Sequence, residues 1–274
     1  MSNERNRQRA RIATLITPAY VWLCVAIFLP LSAMFYFSFL SATPVGNKTV
    51  NFTLRHYSAF FTKEIYWYNA WRSAKLGLQV TFICLLIAWP AAYTLAKLIK
   101  GRAREAIFLL VILPFWSNAL VRTFSWTMVL REPFNLLYSY PAIVIGLVHA
   151  YLPYAILTIY VSLQSIDDSV IESARSLGAN TWQTFLRVAL PLSLPGILAA
   201  VFLIFVPVMG SFVEPRILGG KDAIMLGPII ESQFTSAFNW PLGSALSFLM
   251  LGIVLLCLAI GTPFARALNR QSGL

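Results

Sequence analysis

The residue types best suited to specific work lie in one polar stretch, Ser165 to Pro191, set between two long apolar runs. Ser169-Val170-Ile171-Glu172 has the form of a capping box, in which a hydroxyl accepts from the third amide on and a carboxylate reaches back. A helix should start there, with Ser169 as its cap. Gly178 stands where a helix stop in left-handed geometry is wanted, and Asn180 or Thr181 has the right side chain to cap a second short helix. Trp182, Phe185, Leu186 and Ala189 recur at helical spacing on one face of that helix. Large apolar groups on a short helix in a polar connection need either the chain's own spans or a partner to cover them. The chemistry expected is docking, with Glu172 serving both as a cap and as a contact.

A second group of candidates lies near the apolar runs. Arg122 sits inside one of them, where an ionisable residue is a functional hypothesis by default, set against snorkelling of its guanidinium to the outer interface. Glu214 follows a glycine-containing helix end and is read either as a contact for a cationic solute or as a solvated loop carboxylate. With Trp126 and Tyr154, these residues are the candidate wall of a solute pathway. No catalytic residue is assigned, because His149 and Ser211 lack any surrounding dyad motif. Two histidines and three cysteines in separate apolar runs (Cys24, Cys84, Cys257) give neither a metal cluster nor a disulfide framework. The segment Gly219-Gly220-Lys221-Asp222 has the wrong spacing for a phosphate loop and no Ser or Thr after the lysine. ATP chemistry would have to come from another chain.

The elements that carry these residues follow from composition. Hydrophobic residues make up 58% of the 274 and charged ones 11%, whereas a soluble domain has about 25% charged residues. The net charge of +11 falls in short clusters beside apolar runs, not on one basic face, which argues against nucleic acid. A bilayer core about 30 Å thick takes about 20 apolar residues per helix. Six stretches qualify: within Ile12 to Leu40, Leu76 to Ala96, Ala106 to about Leu130, Tyr140 to Leu163, Val188 to Val213, and about Gly243 to Ala265. The first is too long for a signal-peptide core and is expected to stay as a helix. Prolines 30, 90, 114, 153, 195 and 207 fall inside spans and should kink or interrupt them. With the N-terminus inside, twelve of the 21 Lys and Arg residues fall on the inner side, including the clusters Arg5 to Arg11 and Lys97 to Arg104. Both termini are then cytoplasmic. Trp67, between Tyr66 and Tyr68, suits an outer aromatic belt ahead of the second span. The expected organisation is a basic tail over 1–11, a single all-α transmembrane domain over 12–268 containing the 165–191 loop, and a short tail over 269–274. An ion-coupled secondary transporter is the alternative. It would usually carry paired intramembrane carboxylates and inverted repeats, whereas the ten acidic residues here lie in tails, loops or span ends.

Glu172-Ser173-Ala174, three residues, Gly178, nine residues, then Val188-Ala189-Leu190-Pro191 resembles the EAA loop of ABC-importer permeases, EAA-x3-G-x9-I-x-LP. Ser173 stands for the first alanine and Val188 for isoleucine. The resemblance runs from the first span to Leu251. Asn118 to Trp126, Gly210 to Pro215, Leu218-Gly219-Gly220 and Asn239 to Ala245 look like the spermidine/putrescine permease group. It implies a type I ABC-importer permease fold in a bacterial inner membrane, and two ATP-binding subunits that hold the ATP and magnesium. The resemblance further implies a second homologous permease that completes the pathway and a periplasmic binding protein that delivers a small solute, most simply a polyamine. Glu172, Ser173, Ala174, Gly178, Trp182 and Phe185 are implied to couple to an ATP-binding subunit, whose closure drives alternating access. The permease itself is implied to hold no cofactor.

Overall fold

The computed structural model describes residues 2–44 and 50–271, and side chains for 14–44 and 50–259. Apolar runs become helices because backbone polar groups in hydrocarbon must be satisfied within the segment itself. In chain order these are α1 (Ser2–Ser38), α2 (Arg55–Thr62), α3 (Glu64–Tyr93), α4 (Arg102–Ile112), α5 (Ala119–Arg131), α6 (Tyr140–Gln164), α7 (Asp168–Ser176), α8 (Thr181–Thr184), α9 (Leu190–Leu192), α10 (Leu194–Gly210), α11 (Val213–Leu218), α12 (Leu226–Thr235) and α13 (Trp240–Gln271). Two π-type turns, Thr94–Leu98 and Phe185–Ala189, extend α3 and join α8 to α9.

Four helices are long and apolar enough to cross a bilayer unaided: Thr14–Ser38, Glu64–Leu98, Tyr140–Gln164 and Trp240–Ala259. The third and fifth expected spans are bent pairs, so the number of spans is six when each pair counts as one. The third breaks after α4 at Leu113–Trp116 and turns by 98° into α5. Pro114 lacks a backbone donor, Ser117 is extended, and the Asn118 side chain accepts from the Leu120 amide at 2.8 Å to start a new helix. The fifth bends by 66° between Thr181–Leu192 and α10, where Pro191 and Pro195 flank Ser193. Pro30, Pro90, Pro153 and Pro207 lie inside unbroken helices. The second span starts at Glu64, twelve residues before the expected Leu76, so Tyr66, Trp67 and Tyr68 lie in the first turns of α3, not ahead of it.

The chain divides into two compact units, residues 1–62 with 232–249, and 63–231 with 250–274. In the first, the Leu40 carbonyl bonds the His56 ring at 3.0 Å and Leu40 bridges Phe52. Phe35 and Phe248 meet edge to face. In the second, α3, α6 and α10 pack on one another around Leu76, Val80, Cys84, Ile143, Leu147, Ile159, Leu163, Ile204 and Val208, all fully buried. Small residues let these helices close in. A Cβ on Gly196 of α10 would stand 2.4 Å from the Ser162 Cβ and 3.0 Å from the Thr158 carbonyl oxygen, both on α6. This three-helix core positions the loop between α6 and α10.

Candidate functional site

The loop starts at Ser165 as α6 ends. Its first helix, α7, is capped by Asp167, whose side chain accepts from the Ser169 amide at 2.9 Å. The expected Ser169–Glu172 box therefore does not form, and the helix begins at Asp168. The carboxylate of Asp167 is the stronger acceptor for the first free amides and also complements the helix dipole. Accepting that amide holds the Asp167 carboxyl below its usual range. Asp168 is held low in turn, chiefly by a hydrogen bond from Lys97.

Released from a capping role, Glu172 is exposed, and neither a hydrogen bond nor an ion pair holds its carboxylate among the described residues. Ser173 is exposed beside it and Ala174 half-buried. The helix ends in a Schellman arrangement. The Ala179 amide donates to the Ala174 carbonyl at 3.1 Å and the Gly178 amide to the Arg175 carbonyl at 2.9 Å. Gly178 takes φ +87°, the left-handed geometry its position requires. Asn180 then caps α8 in a complete capping box with Gln183.

The four apolar residues of the second helix do not share one surface. The π-type turn over 185–189 breaks the helical register, so Ala189 is buried and Phe185 packs inward while Leu186 and Trp182 stay exposed. The Phe185 ring lies edge-on to Trp89 and Tyr93 of α3, and Trp182 stacks on it at 5.3 Å. Phe185 thus packs against the chain's own core and is half-buried there. Trp182 is 65% exposed and Leu177 90%. These exposed apolar residues flank Gly178 in the chain, and Ile171 is the only buried residue of α7.

Sequence reasoning overlooked what fastens the loop. Lys97, counted only as a topology charge, donates from Nζ to the Ile166 carbonyl and to Asp168 Oδ1, both at 2.6 Å. Trp89 Nε1 donates to Ser193 Oγ at 2.9 Å. Only a lysine at the end of an apolar run hinted at this.

Two of the candidate pathway residues share a cavity. Arg122 and Trp126 line one cavity of about 400 Å³ with Pro114, Ser125 and His149. Arg122 Nη1 donates to the Pro114 carbonyl at 3.1 Å, stitching α5 to the broken end of α4. Trp126 Nε1 donates to His149 Nδ1 at 3.2 Å, so that nitrogen carries no proton. Tyr154 does not line this cavity and packs on Phe115. Glu214 does not line it either and accepts from Ser211 Oγ at 2.5 Å. Asp222 caps α6 at the Tyr140 amide and lies 3.9 Å from Arg72, and Glu231 pairs with Arg216.

A bundle of long and bent apolar helices, with a capped, glycine-broken loop ahead of a bent span, is the permease fold of type I ABC importers. Two solved structures share it: a bacterial ABC transporter importing the acidic polysaccharide alginate (TM-score 0.72, 14% identity, 97% of this chain and 99% of that one), and the MetNI methionine ABC transporter (TM-score 0.63, 19% identity, 76% and 99%). Residues 84–272 match the binding-protein-dependent transport system inner membrane component family, and the chain belongs to it. Among curated relatives, the spermidine/putrescine transport system permease protein PotB of Haemophilus influenzae is 33% identical over 92% of this chain and 93% of its own length. The PotB of Escherichia coli strain K12 is 31% identical over 91% and 96%. The chain is thus a multi-pass inner-membrane permease of an ABC transporter.

Proposed function

We propose that this chain forms half of the translocation pathway of an ATP-driven importer for a polyamine or a related small organic solute. A distinct homologous permease forms the other half. The observation that carries the reading is the loop: an exposed Glu172, unpaired among the described residues, with exposed Leu177 and Trp182 flanking Gly178, on helices fixed at both ends. Such a knob suits a groove on an ATP-binding subunit, one beneath each permease. Those subunits hold ATP and magnesium and do the hydrolysis, and a periplasmic binding protein delivers the solute. Both termini and the loop then face the cytoplasm. The polyamine follows from the names of relatives that match over nearly the whole chain.

An ion-coupled carrier gains nothing from the structure, since Glu214, Asp222 and Glu231 are each engaged internally. To test the reading, the tagged chain is purified in mild detergent and its companions identified by mass spectrometry. Recovery of an ATP-binding subunit and a second permease is expected, with uptake of labelled spermidine lost in Gly178→Asp and reduced in Glu172→Ala at normal membrane levels. A chain that purifies alone, without ATPase activity, sinks the importer reading.

A further inference from the structure

The end of α3 grips the loop at two places. Lys97, in the π-type turn, has a side chain only 6% exposed. Its ammonium meets the Ile166 carbonyl in the linker after α6 and the carboxylate of Asp168, the first residue of α7. A buried ammonium is strongly unfavourable unless its protons are matched in this way. Eight residues earlier on α3, Trp89 bonds Ser193 at the far end of the loop and packs with Tyr93 on Phe185. Between these grips α7 buries only Ile171, so little else holds it to the chain.

We propose that Lys97 is a positioning residue for energy coupling: it fuses the start of α7 to α3, so that a push on the loop turns α3 instead of flexing the Ser165–Asp167 linker. This rests on the reading of the loop as the docking element for an ATP-binding subunit. With Lys97 in place, the linker is pinned at its middle residue and α7 at its first. Without it, α7 swings on the linker and the Phe185 grip alone follows the motion.

The test uses the complete complex in proteoliposomes, with spermidine-loaded binding protein outside, and reads spermidine imported per ATP hydrolysed. In Lys97→Met the complex is expected to assemble and hydrolyse ATP while this ratio falls by about tenfold, the scale of a coupling free energy. Lys97→Arg restores at least half of the ratio, and Asp168→Ala, which leaves the Ile166 bond, falls between. A wild-type ratio in Lys97→Met overturns the proposal, as does failure of Lys97→Arg to restore coupling. So does a Lys97→Met complex that fails to assemble while Asp168→Ala couples like wild type. A wild-type complex that lacks an ATP-binding subunit or imports nothing refutes the functional reading instead.

Discussion

Single residues in this loop separate backbone demands from surface chemistry. Gly178 has φ +87°, and a Cβ there would meet nothing within 4 Å, so a substitution is opposed by the backbone alone. An ordinary L-residue held in left-handed geometry costs roughly 1–2 kcal/mol, and asparagine less. Uptake should therefore rank wild type, then Gly178→Asn, then Gly178→Val; equal uptake in the two variants would remove the left-handed requirement. Asp168 gives a pH signature. Its carboxyl is depressed, first by the hydrogen bond from Lys97 and then by the charges of Lys97 and Lys100, against an opposing push from Asp167. A depressed folded value means the stabilisation is fully present above the ordinary carboxylate range, about pH 4. It is lost as pH falls through the folded value. Hydrogen exchange of the α7 amides, corrected for intrinsic rate, should stay flat from neutral pH to about 5 and rise only in stronger acid. The Asp168→Ala variant should lack the part of that acid step owed to the pair. A rise between pH 7 and 5 in wild type would contradict the assignment.

At the scale of elements, two stacked aromatic rings do different work. Phe185 packs against Trp89 and Tyr93, whereas Trp182 covers its outer side and faces out. Phe→Ala in a core costs about 3–5 kcal/mol, and a half-buried Phe185 should fall at or below the low end. Phe185→Ala is expected to lower the thermal midpoint of the purified permease. Trp182→Ala should leave that midpoint nearly unchanged and weaken retention of the ATP-binding subunit. The reverse pattern would show that the inward and outward assignments are wrong. The α6–α10 contact makes a sharper demand. Gly196 has no room for a Cβ against Ser162 and the Thr158 carbonyl, and backbone cannot yield as a flexible side chain would. Gly196→Leu should reduce the folded protein in the membrane, while Gly252→Leu, at a site with open space, should not. Comparable membrane levels for the two would mean that the helices are not held in this packing.

For the whole molecule, the prediction concerns which way it faces. Charge counting places Lys97 to Arg104 and the Glu172 loop inside and Lys221 outside. Single cysteines introduced into a variant without the three native ones test this. A cysteine at Lys221 should react with an impermeant maleimide in intact cells, and one at Ser173 only after the membrane is opened. Labelling of Ser173 first would invert the protein and separate the loop from any cytoplasmic ATPase. Much of the surface of α1 remains bare: only 6% of its apolar window is buried, against about half for α3 and α6.

The sequence by itself determined the all-helical class, the extent of α6 to within one residue and the glycine stop at Gly178, and narrowed the cap of α8 to Asn180 or Thr181, because each depends on local rules: hydrophobic length, a backbone sign, a side chain two or three residues from its amide. It also carried the loop spacing that marks the family. Only tertiary structure decided the rest. Helical spacing put Leu186 and Ala189 on one face, and the π-type turn over 185–189 left Leu186 exposed and Ala189 buried. Arg122 and Trp126 share a cavity that Tyr154 and Glu214 do not line, since a 98° bend at Pro114 sets the direction of α5. Lys97 became the anchor of the loop because folding brought it to residues 69 and 71 positions away, and no local pattern encodes a contact between groups so distant in the chain.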